Sequence, residues 1–161
     1  MALWQCPACG AKLVTRNLSH SCVRRSVDEF FADKPAGGVR FAKAFIAAVR
    51  AVGRVTLHPV KTRIAVMVDV RFAAINRISA TSIRGHLWLR EKHASDRFVR
   101  IEKLGAIDYL YHFEVSADAP IDRELRRFIR LAYRNGIRGT RRPRASPERP
   151  RSSRRRTPAR T

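Results

Sequence analysis

All three cysteines of the chain fall near its start, in Cys6-Pro7-Ala8-Cys9-Gly10 and, after Asn17-Leu18-Ser19, in His20-Ser21-Cys22. A Cys-x-x-Cys knuckle followed by a second close pair of sulfur or imidazole donors lets two short hairpins present four ligands to one ion. Gly10 suits the turn after the second cysteine, where a positive φ is often needed. The spacing predicts a zinc ribbon or knuckle with ligands Cys6, Cys9, His20 and Cys22. Four protein ligands close the coordination shell, so Zn2+ here is structural. Two alternatives stand beside this. A redox Cys-x-x-Cys normally opens a helix within a βαβ unit, and no such unit surrounds this one. His20 facing solvent, with another donor in its place, is the other.

A second group of residues with chemical capacity is His58, Lys61, Arg63, His86, Trp88 and His112. Alternation along the predicted strands sends several of these to one sheet face, where neighbouring strands are only ~5 Å apart. The functional reading is an anion or ligand face, with His112 or His58 as acid–base and Lys61 and Arg63 stabilising charge. The plain reading is a polar, solvated face, which alternation produces in any half-buried sheet. No nucleophile–base–orienter set can be read out, and no catalytic residue is assigned. Asp69 and Glu114 are the only outward acids on the strong strands, and no motif joins them into a Mg2+ site.

The elements that must position these residues follow from periodicity. Ser26-Val27-Asp28-Glu29 has capping-box spacing and opens a short helix through Phe30 and Phe31. The segment Lys34-Pro35-Ala36-Gly37-Gly38 reads as a break. Val39 to Val52 reads as a longer helix with Phe41, Phe45, Ala48, Val49 and Val52 on one stripe, ended by Gly53. From Val55 the period changes to two. Arg63 to Phe72 alternates without interruption, placing Ile64, Val66, Val68, Val70 and Phe72 on one face of a single, central strand. Ile83 to Leu89 and Tyr109 to Val115 repeat the pattern, and Phe98 to Glu102 adds a short strand. A last helix carries Ile121, Leu125, Phe128, Ile129 and Ala132, with Asp122 and Glu124 in its first turn and Asn135-Gly136 at its end. Consecutive strands with short links predict an antiparallel meander covered on one face by helices, an α+β class.

The organisation is thus a zinc knuckle over residues 1–25, an α+β domain over 26–136 and a tail over 137–161. Of the formal charge of +21, residues 138–161 hold ten arginines against Glu148 alone. Arg141, Arg142, Arg144, Arg149, Arg151, Arg154, Arg155 and Arg156 stand among proline, serine and threonine. That composition cannot bury enough surface to fold, so the tail is expected to be disordered. The charge implies a polyanionic partner, and nucleic acid, DNA or RNA, bound without sequence preference is the commonest. Arginine-rich composition also arises from base composition and solvated faces, which is the competing account. No apolar run approaches the ~18–20 residues that cross a bilayer, so no membrane is expected. Clustered cysteines without partners elsewhere point to a reducing, cytoplasmic setting.

Several of these marks occur together: Trp4-x-Cys6-Pro7-x-Cys9-Gly10, Asn17-x-Ser19-His20-Ser21-Cys22, Ser26-Val27-Asp28-x-x-Phe31, His58-Pro59-Val60-Lys61-Thr62-Arg63-Ile64, Phe72-Ala73 and Leu131-Ala132-Tyr133. In them the chain resembles an uncharacterised bacterial family, domain of unknown function 5655, from about Trp4 to Tyr133. The resemblance implies a zinc knuckle on an α+β domain without assigned biochemistry, related to domains fused behind nuclease-type domains in bacterial defence proteins. It implies no catalytic residue, and the arginine-rich tail lies outside it.

Two functions follow. One is a non-enzymatic zinc protein that binds nucleic-acid phosphate through its basic surfaces and tail, with a protein partner at the zinc module as a further option. The other is a small-anion or enzymatic domain that uses the polar sheet face, with the zinc module structural.

Overall fold

In this computed structural model, residues 4–10, 12–13, 16, 22 and 25–137 are described. The tail at 138–161, with every arginine assigned to it above, and His20 lie outside them. Among the described residues the order is β1 (Trp4–Gln5), β2 (Lys12–Leu13), α1 (Val27–Phe31), α2 (Ala36–Arg50), β3 (Thr56–Val60), β4 (Arg63–Met67), β5 (Arg71–Ile78), β6 (Ser82–Leu89), β7 (Arg100–Lys103), β8 (Tyr109–Ser116) and α3 (Arg123–Gly136). The fold is α+β: a small two-stranded hairpin, then a six-stranded antiparallel sheet in the order β3-β4-β5-β6-β8-β7, with helices on one face.

Local chemistry places the helix starts. Glu29 N donates to Ser26 Oγ at 3.0 Å and Ser26 N donates to Glu29 Oε2 at 2.6 Å, so the capping box forms. At α3, Leu125 N donates to Asp122 Oδ1 at 2.7 Å; Asp122 therefore caps the helix instead of entering its first turn. Phe45 and Val49 of α2, and Leu125, Phe128, Ile129 and Ala132 of α3, join Ile64, Val66, Phe72, Ile75, Ile83, Leu87, Tyr111, Phe113 and Val115 in one buried core. Phe45 stacks on Phe113 at a centroid distance of 4.6 Å, and Phe98, Tyr111 and Phe128 pack ring to ring. Arg97 shows that a basic side chain can serve the fold alone. Its guanidinium donates to the carbonyls of Glu114, Ala119 and Pro120 and pairs with Asp122, tying α3 to β8.

Three expectations are corrected. The uninterrupted strand from Arg63 to Phe72 is two strands: the chain reverses at 68–70, so Met67 lies opposite Arg71. The reversal contains no Gly, Pro or Asn. One local and one tertiary bond hold it, since Val68 N donates to Val70 O at 3.2 Å and Val70 N to Gly136 O at 3.1 Å, and period-two alternation survives a turn of this length unmarked. The strands are not a simple meander either, because β8 inserts between β6 and β7.

The third correction concerns Gly37 and Gly38, which lie in the first turn of α2 instead of breaking the chain before it. A Cβ at Gly37 would stand 2.2 Å from Ala80 O, and one at Gly38 1.9 Å from Ser79 O. The glycines thus let the helix start press on the β5–β6 hairpin. Gly53 likewise does not end α2 through a left-handed φ, since Gly10 alone has a positive φ among the described residues; a Cβ at Gly53 would meet Tyr133 Oη at 2.4 Å. Gly38→Ala gains up to ~1 kcal/mol of helix propensity. It also forces a methyl onto a backbone carbonyl, an overpacking cost at the upper end of ~1–3 kcal/mol or beyond. A net loss of about 2 kcal/mol is expected, read as a lower urea midpoint with unchanged slope.

Candidate metal centre and the polar sheet face

The hairpin pairs Trp4 with Leu13 and Gln5 with Lys12, setting the Cys6–Gly10 turn at its end. Gly10 takes φ 72, and its N–H donates to Cys6 O at 2.8 Å, which curls the knuckle around its own sulfurs. The Sγ atoms of Cys6, Cys9 and Cys22 all lie within 4.8 Å of one another. Cys6 and Cys22 sulfurs are 3.8 Å apart. A disulfide needs ~2.0 Å, whereas two thiolates sharing a tetrahedral ion at ~2.3 Å sit ~3.8 Å apart. The three cysteines are therefore close enough to hold a metal ion, and the Cys6–Cys22 distance is that of a tetrahedral one. Without a cation Cys22 resists ionisation: its pKa is pushed up to about 11, first by its hydrogen bond with Cys6, then by desolvation and by Cys9. Metal binding here must displace protons.

On the sheet, the ladder registers align His58 with Ala65, Ala65 with Ala74, Ala74 with His86, His86 with His112 and His112 with Arg100. One row on the face away from the core thus crosses all six strands. His86 and His112 are direct neighbours, with ring centroids 5.9 Å apart. His58 stands three strands from His86, roughly 14 Å away at the usual strand spacing. Arg63 flanks the row on β4, and Lys61 sits in the two-residue turn between β3 and β4. Trp88 donates its indole N–H to Asp108 Oδ1 at 3.0 Å, and the Arg90 guanidinium lies 5.5 Å from its ring.

Sequence reasoning missed several members of this face. Glu102 reaches it because β7 lies beside β8, and its Oε2 is 3.2 Å from His112 Nε2. Bonds from His112 and then Arg100 hold the Glu102 carboxyl below the usual carboxylate range. Asn76 enters through the irregularity between Ile75 and Arg77, and its amide nitrogen is 3.0 Å from His86 Nδ1. An amide donor there makes Nδ1 the acceptor and leaves the ring proton on Nε2. Arg71, which alternation alone sends to the same face as Arg63, is brought beside it by the 68–70 reversal, and desolvation and then Arg63 lower its pKa. Pairing between distant segments decides the positions of Glu102 and Asn76, so only a correct strand order would have exposed those two.

His86 is buried, only 6% exposed. Desolvation first, then Arg71, His112 and Arg63, lower its pKa to about 4 against the small opposing pull of Glu102. At neutral pH it is uncharged in both folded and unfolded chains. As pH falls from about 6.5 to about 4, the unfolded chain takes the proton and the folded one does not, so stability is lost across that window. The shift corresponds to roughly 3 kcal/mol at full extent. His86→Gln should flatten the fall in urea midpoint between pH 6.5 and 4 seen in the parent; an equally steep fall in the variant would refute it.

Neither of two cavities is lined by a histidine of the row, although the second reaches its end at Arg100. One, of about 170 Å3, is lined by Arg77, Ser79, Ser82 and Arg84; the other, of about 550 Å3, runs along β7 past Lys92, Phe98, Val99, Arg100, Ile101, Lys103 and Tyr109. Among the described residues no helix is long and apolar enough to cross a membrane. Comparison with protein-family models, with curated proteins and with solved structures finds no match to this chain.

Proposed function

We propose that this chain is a non-enzymatic zinc protein that binds nucleic acid, DNA or RNA, along the phosphate backbone. The metal is read as zinc because three clustered thiolate donors suit a borderline-soft ion, with His20 proposed as the fourth ligand. The observation that carries nucleic-acid binding is the distribution of charge on the polar sheet face. Glu102 is engaged by His112 and Arg100, Glu114 by Arg84 and Asp108 by Trp88, while Arg63 and Arg71 lie close together with no carboxylate partner among the described residues. Two like charges held side by side are relieved by an anion between them. The ten arginines at 138–161 extend the same chemistry. The resemblance to a zinc-knuckle family is compatible with this reading and adds no residue to it.

The test is titration of the whole zinc-loaded chain with a mixed-sequence duplex and its RNA counterpart at low salt. Arg63→Ala with Arg71→Ala should weaken binding to every sequence alike, because phosphate contacts carry no base information. No binding of either polymer at low salt overturns the proposal. A second reading, a small-anion or enzymatic site, is favoured by one observation, the Glu102–His112 pair set against buried His86. A carboxylate that accepts from Nε2 leaves Nδ1 of His112 available as a base. On that reading His112→Ala abolishes ligand binding or turnover with little loss of stability; unchanged ligand binding or turnover in the variant removes it.

A further inference from the structure

We infer that the β5–β6 hairpin end is a phosphomonoester-binding site, formed by Arg77, Ser79, Ser82 and Arg84. The inference deepens the nucleic-acid reading by naming a terminal phosphate, in place of a backbone phosphodiester, as the group held there.

The pairing of Arg77 with Arg84 is the first reason. The two are direct cross-strand partners, and like charges directly opposite one another destabilise a sheet. The arrangement is not imposed by regular pleating. The irregularity between Ile75 and Arg77 diverts Asn76 to His86 and brings Arg77 opposite Arg84, and bulges of this kind commonly re-aim a side chain at a functional position.

The second reason is the donors still available. Arg84 gives its Nε–H to Glu114 Oε2 at 2.7 Å, and no bond of its terminal nitrogens is described. Arg77 has no carboxylate partner among the described residues. Arg77, Ser79, Ser82 and Arg84 line a cavity of about 170 Å3; Ser79 Oγ gives its proton to Ser82 O, so of the two hydroxyls, 3.1 Å apart, that of Ser82 is the one that can donate to a ligand. A space of that size admits one phosphate group and part of its substituent.

The third reason is rigidity. Ser82 N donates to Ser79 Oγ, Ser79 Oγ lies 3.0 Å from Ser82 O, and Ser79 N donates to Ser82 O, so the loop is closed on itself. The glycine turn of α2 backs it from behind, against the carbonyls of Ser79 and Ala80. A site held in place before its ligand arrives loses less ordering entropy on binding.

Charge chooses between phosphate types. A backbone phosphodiester carries one negative charge, whereas a phosphomonoester carries about −1.5 to −2 at neutral pH. Two opposed guanidinium groups, only one of them offset by a carboxylate, are better matched by the latter, and paired forks suit its three terminal oxygens.

The experiment uses the full zinc-loaded chain. Backbone amide shifts of residues 77–84 are followed against inorganic phosphate at constant ionic strength, and affinities are compared for one oligonucleotide bearing either a 5′-phosphate or a 5′-hydroxyl. Saturable shifts confined to the hairpin, with about tenfold tighter binding of the 5′-phosphate form that Arg77→Gln removes and Arg77→Lys keeps in part, are expected. Equal affinity for both oligonucleotides, unchanged by Arg77→Gln, overturns this inference and leaves backbone binding standing. If neither oligonucleotide binds but phosphate still shifts the hairpin in an Arg77-dependent way, the site stands and the nucleic-acid function falls. No saturable phosphate shift overturns the site itself.

Discussion

Cys9→Ser is expected to cost the chain its metal and the fold of its first 25 residues while leaving the sheet domain intact. Apparent binding energies of structural zinc in small modules are about 10–16 kcal/mol at neutral pH, far more than a hairpin of two-residue strands supplies by burial. Replacing one thiolate of three that lie within 4.8 Å of one another removes a ligand that nothing nearby among the described residues can replace. Cys6, Cys9 and Leu13 are buried but stand outside the main core, so the core loses no contact. Metal analysis of reduced, chelator-free protein should return one zinc per chain for the parent and none for the variant. The main thermal transition should move by no more than a degree or two. Zinc-free parent protein, or collapse of the whole chain in the variant, would contradict the expectation.

The second large effect lies in salt. Affinity for duplex DNA should fall with a log–log slope of roughly −0.9 per phosphate neutralised, and ~6–10 contacts lose ~10³–10⁵ between 50 and 200 mM salt. Removing residues 138–161 takes away ten arginines and should flatten the slope by several units. Zinc content and thermal stability should not change, because the main core among the described residues is complete between Val27 and Tyr133. A truncated chain that keeps the full slope would show that the 138–161 arginines take no part. Arg63→Ala with Arg71→Ala in that truncated background should then remove about two further units of slope, separating the sheet face from the terminal arginines.

What could be read from residues alone was local. The Cys6–Cys9 knuckle with Gly10, the Ser26–Glu29 box and the apolar stripes of α2 and α3 depend on neighbours a few positions away, and the chain carries those signals whole. The face was legible only as alternation: Arg63, His86 and Trp88 could be sent outward, but not set beside named partners. His112 meets His86 because β8 inserts next to β6, and Glu102 meets His112 because β7 is displaced outward. The 68–70 reversal offers only Asp69 as a turn residue, and a carbonyl of α3 supplies its restraint, a bond that no window of adjacent residues contains. Gly37 and Gly38 misled for the same reason: they read as breakers locally, and it is the distant Ser79–Ala80 backbone that requires them.

The strand order has a consequence in time as well as in space. β7 is four residues long, is bonded only to β8 and stands at the end of the sheet, so it can detach without opening β8 from β6. Glu102 rides on that strand and His112 on the one beneath it. Each edge opening therefore withdraws the carboxylate from its histidine, and the fraction of time His112 spends without it is the open fraction that deuterium exchange at the amides of β7 measures. The electrostatic character of the sheet face is then a fluctuating property, with a duty cycle set by the shortest strand of the six-stranded sheet.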